Sequence, residues 1–162
     1  MKLLKGKLSI LLLSTLLSVS SMASDTAYDA IIRSANQGNA QAQLALGYMY
    51  DLGEGVPQDK HKAFKWYQKA ANQGDAEAQY TLGASYYKGE GVRQDYHKAF
   101  EWYQKAANQG HPKAQTLVGA MYYKGEGVRQ NSYMAKEWFG KSCDNGNQRG
   151  CDAYRLFNQY GF

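Results

Sequence analysis

Gly53-Glu54-Gly55-Val56, Gly89-Glu90-Gly91-Val92 and Gly125-Glu126-Gly127-Val128 are one tetrapeptide written three times at intervals of 36 residues. Sliding the chain by the same interval places Gly47 on Gly83 and Gly119, and Trp66 on Trp102 and Trp138. Three units follow, at residues 39–74, 75–110 and 111–146. The first two agree at 25 of 36 positions and the second and third at 18, which chance does not produce. In such an array each unit is a supersecondary element that buries its apolar face by stacking on its neighbours.

Each unit reads as two helices. Asn39, Asp75 and His111 stand where N-caps are wanted, and Pro112 then takes a first helical position, where its missing N–H removes nothing the helix uses. This helix runs through Tyr50, Tyr86 or Tyr122 and stops at the Gly-Glu-Gly loop, whose glycines accept a left-handed backbone. Asp59, Asp95 and Asn131 are the caps expected for a second helix, which ends at Asn72-Gln73-Gly74, Asn108-Gln109-Gly110 or Asn145-Gly146. No segment sustains apolar–polar alternation, so strand is not expected. Residues 25–38 read as a lone second helix before the first unit, and residues 147–162 as a lone first helix after the last. The predicted fold class is all-α, an α/α superhelical solenoid.

Three copies of one unit separate what packing fixes from what it leaves free. In the first helix Ala42, Gln43, Gly47 and Tyr50 are unchanged in all copies, and Leu46 becomes Leu82 and Val118. Positions 43, 46, 47 and 50 share one helical face, with a glycine at its centre that admits another helix closely. A neighbouring stripe varies freely. It reads Gln41, Leu44, Tyr48 and Asp51, then Glu77, Tyr80, Ala84 and Tyr87, then Lys113, Thr116, Ala120 and Tyr123. One reading makes this stripe the partner-binding lining of a concave surface, the surface that stacked helical repeats commonly present. The other makes it a solvent-facing stripe with tyrosines partly tucked between units. The 14 tyrosines favour contact, because Tyr is enriched at interfaces. In the second helices, Phe64, Trp66 and Tyr67 and their copies Phe100, Trp102 and Tyr103 read as core. The third unit departs with Lys136, Phe139 and Gly140, and Arg155 stands in the Gly47 slot of the last half-unit, as suits a terminal cap.

The unit, with its A-x-x-x-L-G-x-x-Y first helix, Gly-Glu-Gly-Val loop and A-x-x-W-[YF] second helix, resembles the Sel1-like repeat, a tetratricopeptide-like family. The likeness covers residues 25–162. It implies a scaffold or adaptor that binds a protein or peptide, and many bacterial members are exported. Cys143 occupies the slot of Ala71 and Ala107, and Cys151 that of Gln43, Gln79 and Gln115. Across a glycine-centred turn they are placed to form a disulfide, the alternative being two unpaired buried thiols, and their pattern is similar to that of the cysteine-rich Hcp-type Sel1 proteins.

Export is expected from the sequence itself. Lys2, Lys5 and Lys7 precede an apolar run from Leu8 to Leu17, and Ser21-Met22-Ala23 offers a small-residue cleavage site, so residues 1–23 read as a removable signal peptide. The run is too short to span a membrane, which takes about 20 residues, so no stable insertion after cleavage is expected. The localisation implied is periplasmic or secreted, an oxidising compartment that suits the cysteine pair. Without the leader 16 basic side chains face 14 acidic ones, a balance that does not point to nucleic acid.

Hcp-type proteins have been described as β-lactam-binding, so the resemblance also raises a catalytic reading. Ser85-Tyr86-Tyr87-Lys88 matches S-x-x-K, but its copies begin with Met49 and Met121, and the S-D-N and K-T-G elements are missing. Glu54, Glu90 and Glu126 lie a repeat apart, too far for paired carboxylate chemistry, and are expected to fix loop geometry or a following helix N-terminus. His61, His97 and His111 form no metal-ligand spacing. No catalytic residue, metal or cofactor is expected. A β-lactam binder or weak hydrolase and a cell-wall glycan binder, with tyrosines stacked on sugars, are the rivals to the adaptor.

Overall fold

The computed structural model describes residues 27–161; the expected leader at residues 1–23 lies outside the described residues. Among the described residues there are eight helices and no strand. A lone helix α1 (27–36) is followed by three pairs: α2 (Ala40–Leu52) with α3 (Lys60–Asn72), α4 (Ala76–Lys88) with α5 (Tyr96–Asn108), and α6 (Pro112–Lys124) with α7 (Ser132–Asp144). A lone α8 (Gln148–Tyr160) ends the array. From α2 to α8 consecutive helices pack on each other, and α6 also touches α8. This is the α/α solenoid the period predicts.

The boundaries follow from local chemistry. Asn39, Asp75 and His111 accept an N–H of the first turn of α2, α4 and α6, and Asp59, Asp95 and Asn131 do the same for α3, α5 and α7. Such caps stabilise a helix by about 1 kcal/mol each. The first helices end on Gly53, Gly89 and Gly125 in left-handed backbone. The loops are then closed by the chain itself: the Asp59 N–H donates to the Tyr50 carbonyl at 2.8 Å, and the Gln58 side chain donates to the Asp51 carbonyl at 2.8 Å. Both bonds recur in the next two units, through Asp95 and Gln94 and through Asn131 and Gln130.

The unchanged face is a packing face. A Cβ at Gly47, Gly83 or Gly119 would land on the ring of Tyr67, Tyr103 or Phe139 in the second helix of the same unit. Between units, Phe64 meets Tyr86 edge-on at 5.3 Å, and Phe100 meets Tyr122 at 5.2 Å. Such pairs contribute about 0.5–1.5 kcal/mol beyond the area they bury. Lys136 fits this scheme, since one repeat beyond Tyr122 stands Asn158, with no ring for a phenylalanine to meet.

Gln43 is buried because it is a link. Its amide donates to the Ala35 carbonyl at 3.2 Å, and its oxygen accepts from Gln73 at 2.7 Å. Gln79 and Gln109 repeat the pattern, with Gln79 donating to the Ala71 carbonyl at 3.3 Å. Gln115 and Asn145 repeat it again.

Two expectations are corrected. Of the three tryptophans Trp138 is buried, whereas Trp66 and Trp102 pack against the core but stay half-buried. Lys69 and Lys105 lie over their rings at 3.7 and 3.8 Å, because a lysine three residues on shares the helix face and shelters the ring while its charge stays wet. Glu126 does not turn to a following helix: its carboxylate accepts the Tyr87 hydroxyl of the preceding unit at 2.9 Å.

Candidate functional site

The first helices stand side by side, and the variable slots join them. The Tyr48 hydroxyl on α2 donates to Glu77 Oε1 on α4 at 3.3 Å and lies 3.0 Å from Thr81 Oγ1. Glu77 Oε2 faces His111 Nε2 at 3.0 Å. His111 caps α6 through Nδ1, which accepts the Ala114 N–H at 3.1 Å, so its ring hydrogen sits on Nε2 and points at Glu77. The imidazole also stacks on the Tyr80 ring, 4.6 Å between centroids and 19° between planes. Further along the helices, Tyr87 is held by Glu126, and the Tyr123 ring meets Phe157 of α8 at 5.3 Å.

These contacts tune the phenols. Burial raises Tyr48 and Tyr80 above the ordinary phenol value, with the Glu77 carboxylate adding to the shift in both. Tyr87 is raised first by its hydrogen bond to Glu126. All three stay neutral at physiological pH and serve as hydrogen-bonding aromatic surface.

The predicted residues separate into groups. Tyr48, Glu77 and Tyr80 make one continuous patch across α2 and α4, joined to α6 through His111. Gln41 is exposed on the first turn of α2, whereas Leu44 packs partly into the core. Asp51 pairs with Lys60 of α3 at 2.7 Å, and that bond raises the lysine's pKa. Tyr48 and Tyr123 keep 36% and 44% of their surface exposed, so the tyrosines are tied between units and still present a face to solvent.

Tyr80, Lys113 and Thr116 come together at a groove of about 420 Å³ between α4, α6 and α8. Leu117 adds an apolar side chain, and Asn147, Gln148 and Arg149 form the α8 wall. Thr116 Oγ1 lies 2.7 Å from Ser142 Oγ, which in turn donates to the Pro112 carbonyl at 2.8 Å. Cys143 and Cys151 are joined in a disulfide, and the α8 wall lies inside the loop it closes. Arg149, Leu117, Asn147 and Gln148 escape the sequence reading. Arg149 carried a signal, because it extends the slot of Gln41, Glu77 and Lys113 by one more period.

The S-x-x-K match is not assembled as a nucleophile and base. Ser85 is buried and donates to the Thr81 carbonyl at 3.2 Å, while the exposed Lys88 turns to Glu90 at 4.0 Å. Among the described residues no group of three or more His, Cys, Asp or Glu is placed to hold a metal ion, and no helix is long and apolar enough to cross a membrane.

Comparison with known proteins places this geometry. A protective antigen of uropathogenic Escherichia coli, displaying an SLR fold, superposes with a TM-score of 0.83 at 38% identity, over 86% of this chain and 30% of that one. Cysteine-rich protein B of Helicobacter pylori shares the fold at 24% identity and a TM-score of 0.63, over 80% of this chain and 93% of that one. A 44-residue stretch, 27% of this chain, is 46% identical to an ERAD-associated E3 ubiquitin-protein ligase component of Arabidopsis thaliana, HRD3B, and spans 7% of its length. The Sel1 repeat matches residues 40–75, 76–111 and 112–147 in turn, and the chain belongs to the Sel1 repeat family.

Proposed function

We propose that the chain is an exported, non-catalytic scaffold that binds a protein or peptide along the concave row formed by its first helices. The carrying observation is that Tyr48, Glu77 and Tyr80 form a continuous patch on α2 and α4, and that Tyr80 also meets Lys113 and Thr116 at the groove beside α8. The sequence holds its neighbouring face constant for packing. A surface of Tyr48, Glu77, Tyr80, Lys113, Thr116, Tyr87 and Tyr123 offers ring area, hydrogen bonds and charge without a nucleophile–base pair. Two matched proteins fit the reading by their names: one is an E3 ubiquitin-protein ligase component, the other a protective antigen. The disulfide fits an oxidising compartment, as the leader does.

The test is a pull-down from the native host's envelope extract, with oxidised protein beside a folded variant carrying Leu44→Ser, Tyr80→Ser and Tyr87→Ser. A protein retained by the parent and lost by the variant is the expected result. Retention by both would move the site off the first helices, and retention by neither would sink the adaptor reading. N-terminal sequencing of the exported protein is expected to start at Ser24.

A further inference from the structure

One slot of the first helices changes sign along the solenoid. It reads Gln41 on α2, Glu77 on α4, Lys113 on α6 and Arg149 on α8. The acid at its centre is engaged, since Glu77 accepts from Tyr48 and faces His111. Both cations are exposed and line the groove between α4, α6 and α8, and among the described residues neither forms an ion pair with an acid, although Glu77 lines an adjoining pocket with Lys113. Asp152, the nearest acid along α8, is taken up by Gln148 at 2.9 Å and Arg155 at 3.5 Å. The result is a groove with cations on two walls and the Tyr80 ring and Leu117 between them.

We propose that this groove receives an extended acidic peptide segment, whose Asp or Glu carboxylates are held by Lys113 and Arg149. The inference rests on the peptide-binding reading given above and adds to it the chemistry and direction of the partner. Charge-assisted bonds from an ammonium and a guanidinium would hold carboxylates at the α8 end. Glu77 stands beside Lys113, lining an adjoining pocket with Asn147 and Gln148, and repels further acid there, so the bound segment is acidic over a short stretch and uncharged or basic toward α2. Asn147, whose oxygen caps α8, and Gln148, whose amide donates to Asp152, offer their remaining amide atoms to the backbone of an extended chain. A polyanion such as nucleic acid fits poorly, because the row that begins with two cations continues with a carboxylate.

The Cys143–Cys151 disulfide gains a role in this account. Asn147, Gln148 and Arg149 lie within the loop it closes, and Ser142, next to Cys143, binds the Pro112 carbonyl and the Thr116 hydroxyl. One wall is thus fixed before any partner arrives, and preorganisation of this kind strengthens binding.

The test is selection from a random peptide library fused at its C-termini, so that no free terminal carboxylate takes part. Fluorescence anisotropy then follows with the selected peptide, N-acetylated and C-amidated, beside its Asp→Asn, Glu→Gln counterpart. Expected are an acidic cluster among selected peptides, a loss of about tenfold on neutralising it, and a similar loss in Lys113→Glu and Arg149→Glu. Circular dichroism confirms that the variants fold. Reduction of the disulfide is expected to weaken binding severalfold below the melting temperature. Selected peptides without acid, bound by K113E and R149E as well as by the parent but lost on Tyr48→Ser and Tyr87→Ser, would overturn the proposal and leave the peptide-binding reading standing. Absence of any selected peptide would count against both.

Discussion

Cys151 bonds to Cys143 across the same eight residues over which Gln79 reaches the Ala71 carbonyl and Gln115 the Ala107 carbonyl. The last half-unit therefore replaces a buried hydrogen bond between neighbouring helices with a covalent one between α7 and α8. Removing the bond in Cys143→Ala/Cys151→Ser is expected to lower stability by about 2–3 kcal/mol. The variant Cys143→Ala/Cys151→Gln restores the residues of the other units and is expected to recover part of that loss. Thermal melts of the oxidised parent and the two variants decide it. Equal melting temperatures for all three would remove the disulfide from the stability account.

The loop glycines have different duties that substitution separates. A Cβ on Gly127 would run into the carbonyl of Tyr96, at the start of the preceding unit's second helix, whereas Gly110 has open space around it. Both have positive φ, 68° and 86°. Gly110→Ala is expected to cost only the left-handed strain of about 1–2 kcal/mol. Gly127→Ala is expected to cost at least about 1 kcal/mol more, because backbone must move where a side chain would otherwise adapt. Denaturant titration of the two variants gives the difference, and equal midpoints would show that the units do not approach each other through this loop.

The stacking of units can be read through one aromatic pair. Phe100 and Tyr122 join adjacent units. Phe100→Ala is expected to destabilise by about 3–5 kcal/mol, and Tyr122→Ala by less, since its ring is only partly buried. In the double-mutant cycle a coupling of about 0.5–1.5 kcal/mol is expected. A coupling near zero would mean that the two rings are neighbours without being an energetic link.

Most of the fold was legible because its signals are local and repeated. Asn39, Asp75 and His111 announce their helices, and Gly53, Gly89 and Gly125 end them, in whichever unit they occur. The invariance of Gly47 likewise pointed to a close approach, and the ring of Tyr67 occupies that space. What the period hides is contact between units. That Tyr48 binds Glu77, that Glu126 holds Tyr87, and that Lys113 and Arg149 share a groove depends on how the units stack. Position within a unit does not specify that geometry. Trp66 was misread for a related reason: an aromatic stripe signals burial, but a lysine three residues on can shelter a ring at the surface.

Tyr67 gives a last case, in which a buried group should be better replaced. Its ring fills the space left by Gly47, yet its hydroxyl is buried with no hydrogen-bond partner among the described residues, and the matching slot of the third unit holds Phe139. Desolvation raises the phenol far above its ordinary value, and Tyr103 is raised for the same reason. A pKa raised by folding means that the neutral phenols favour the fold fully below about pH 10. That contribution is lost as pH climbs from there toward the folded value. Tyr67→Phe is therefore expected to leave stability unchanged at pH 7 or to raise it by about 1 kcal/mol. Tyr67→Phe/Tyr103→Phe is expected to unfold at a higher pH than the parent. Absorbance at 295 nm and circular dichroism, followed together from pH 8 to pH 13, are the check. In the parent the last phenols should ionise only as the helices melt, and ionisation of every tyrosine with the fold intact would refute the assignment.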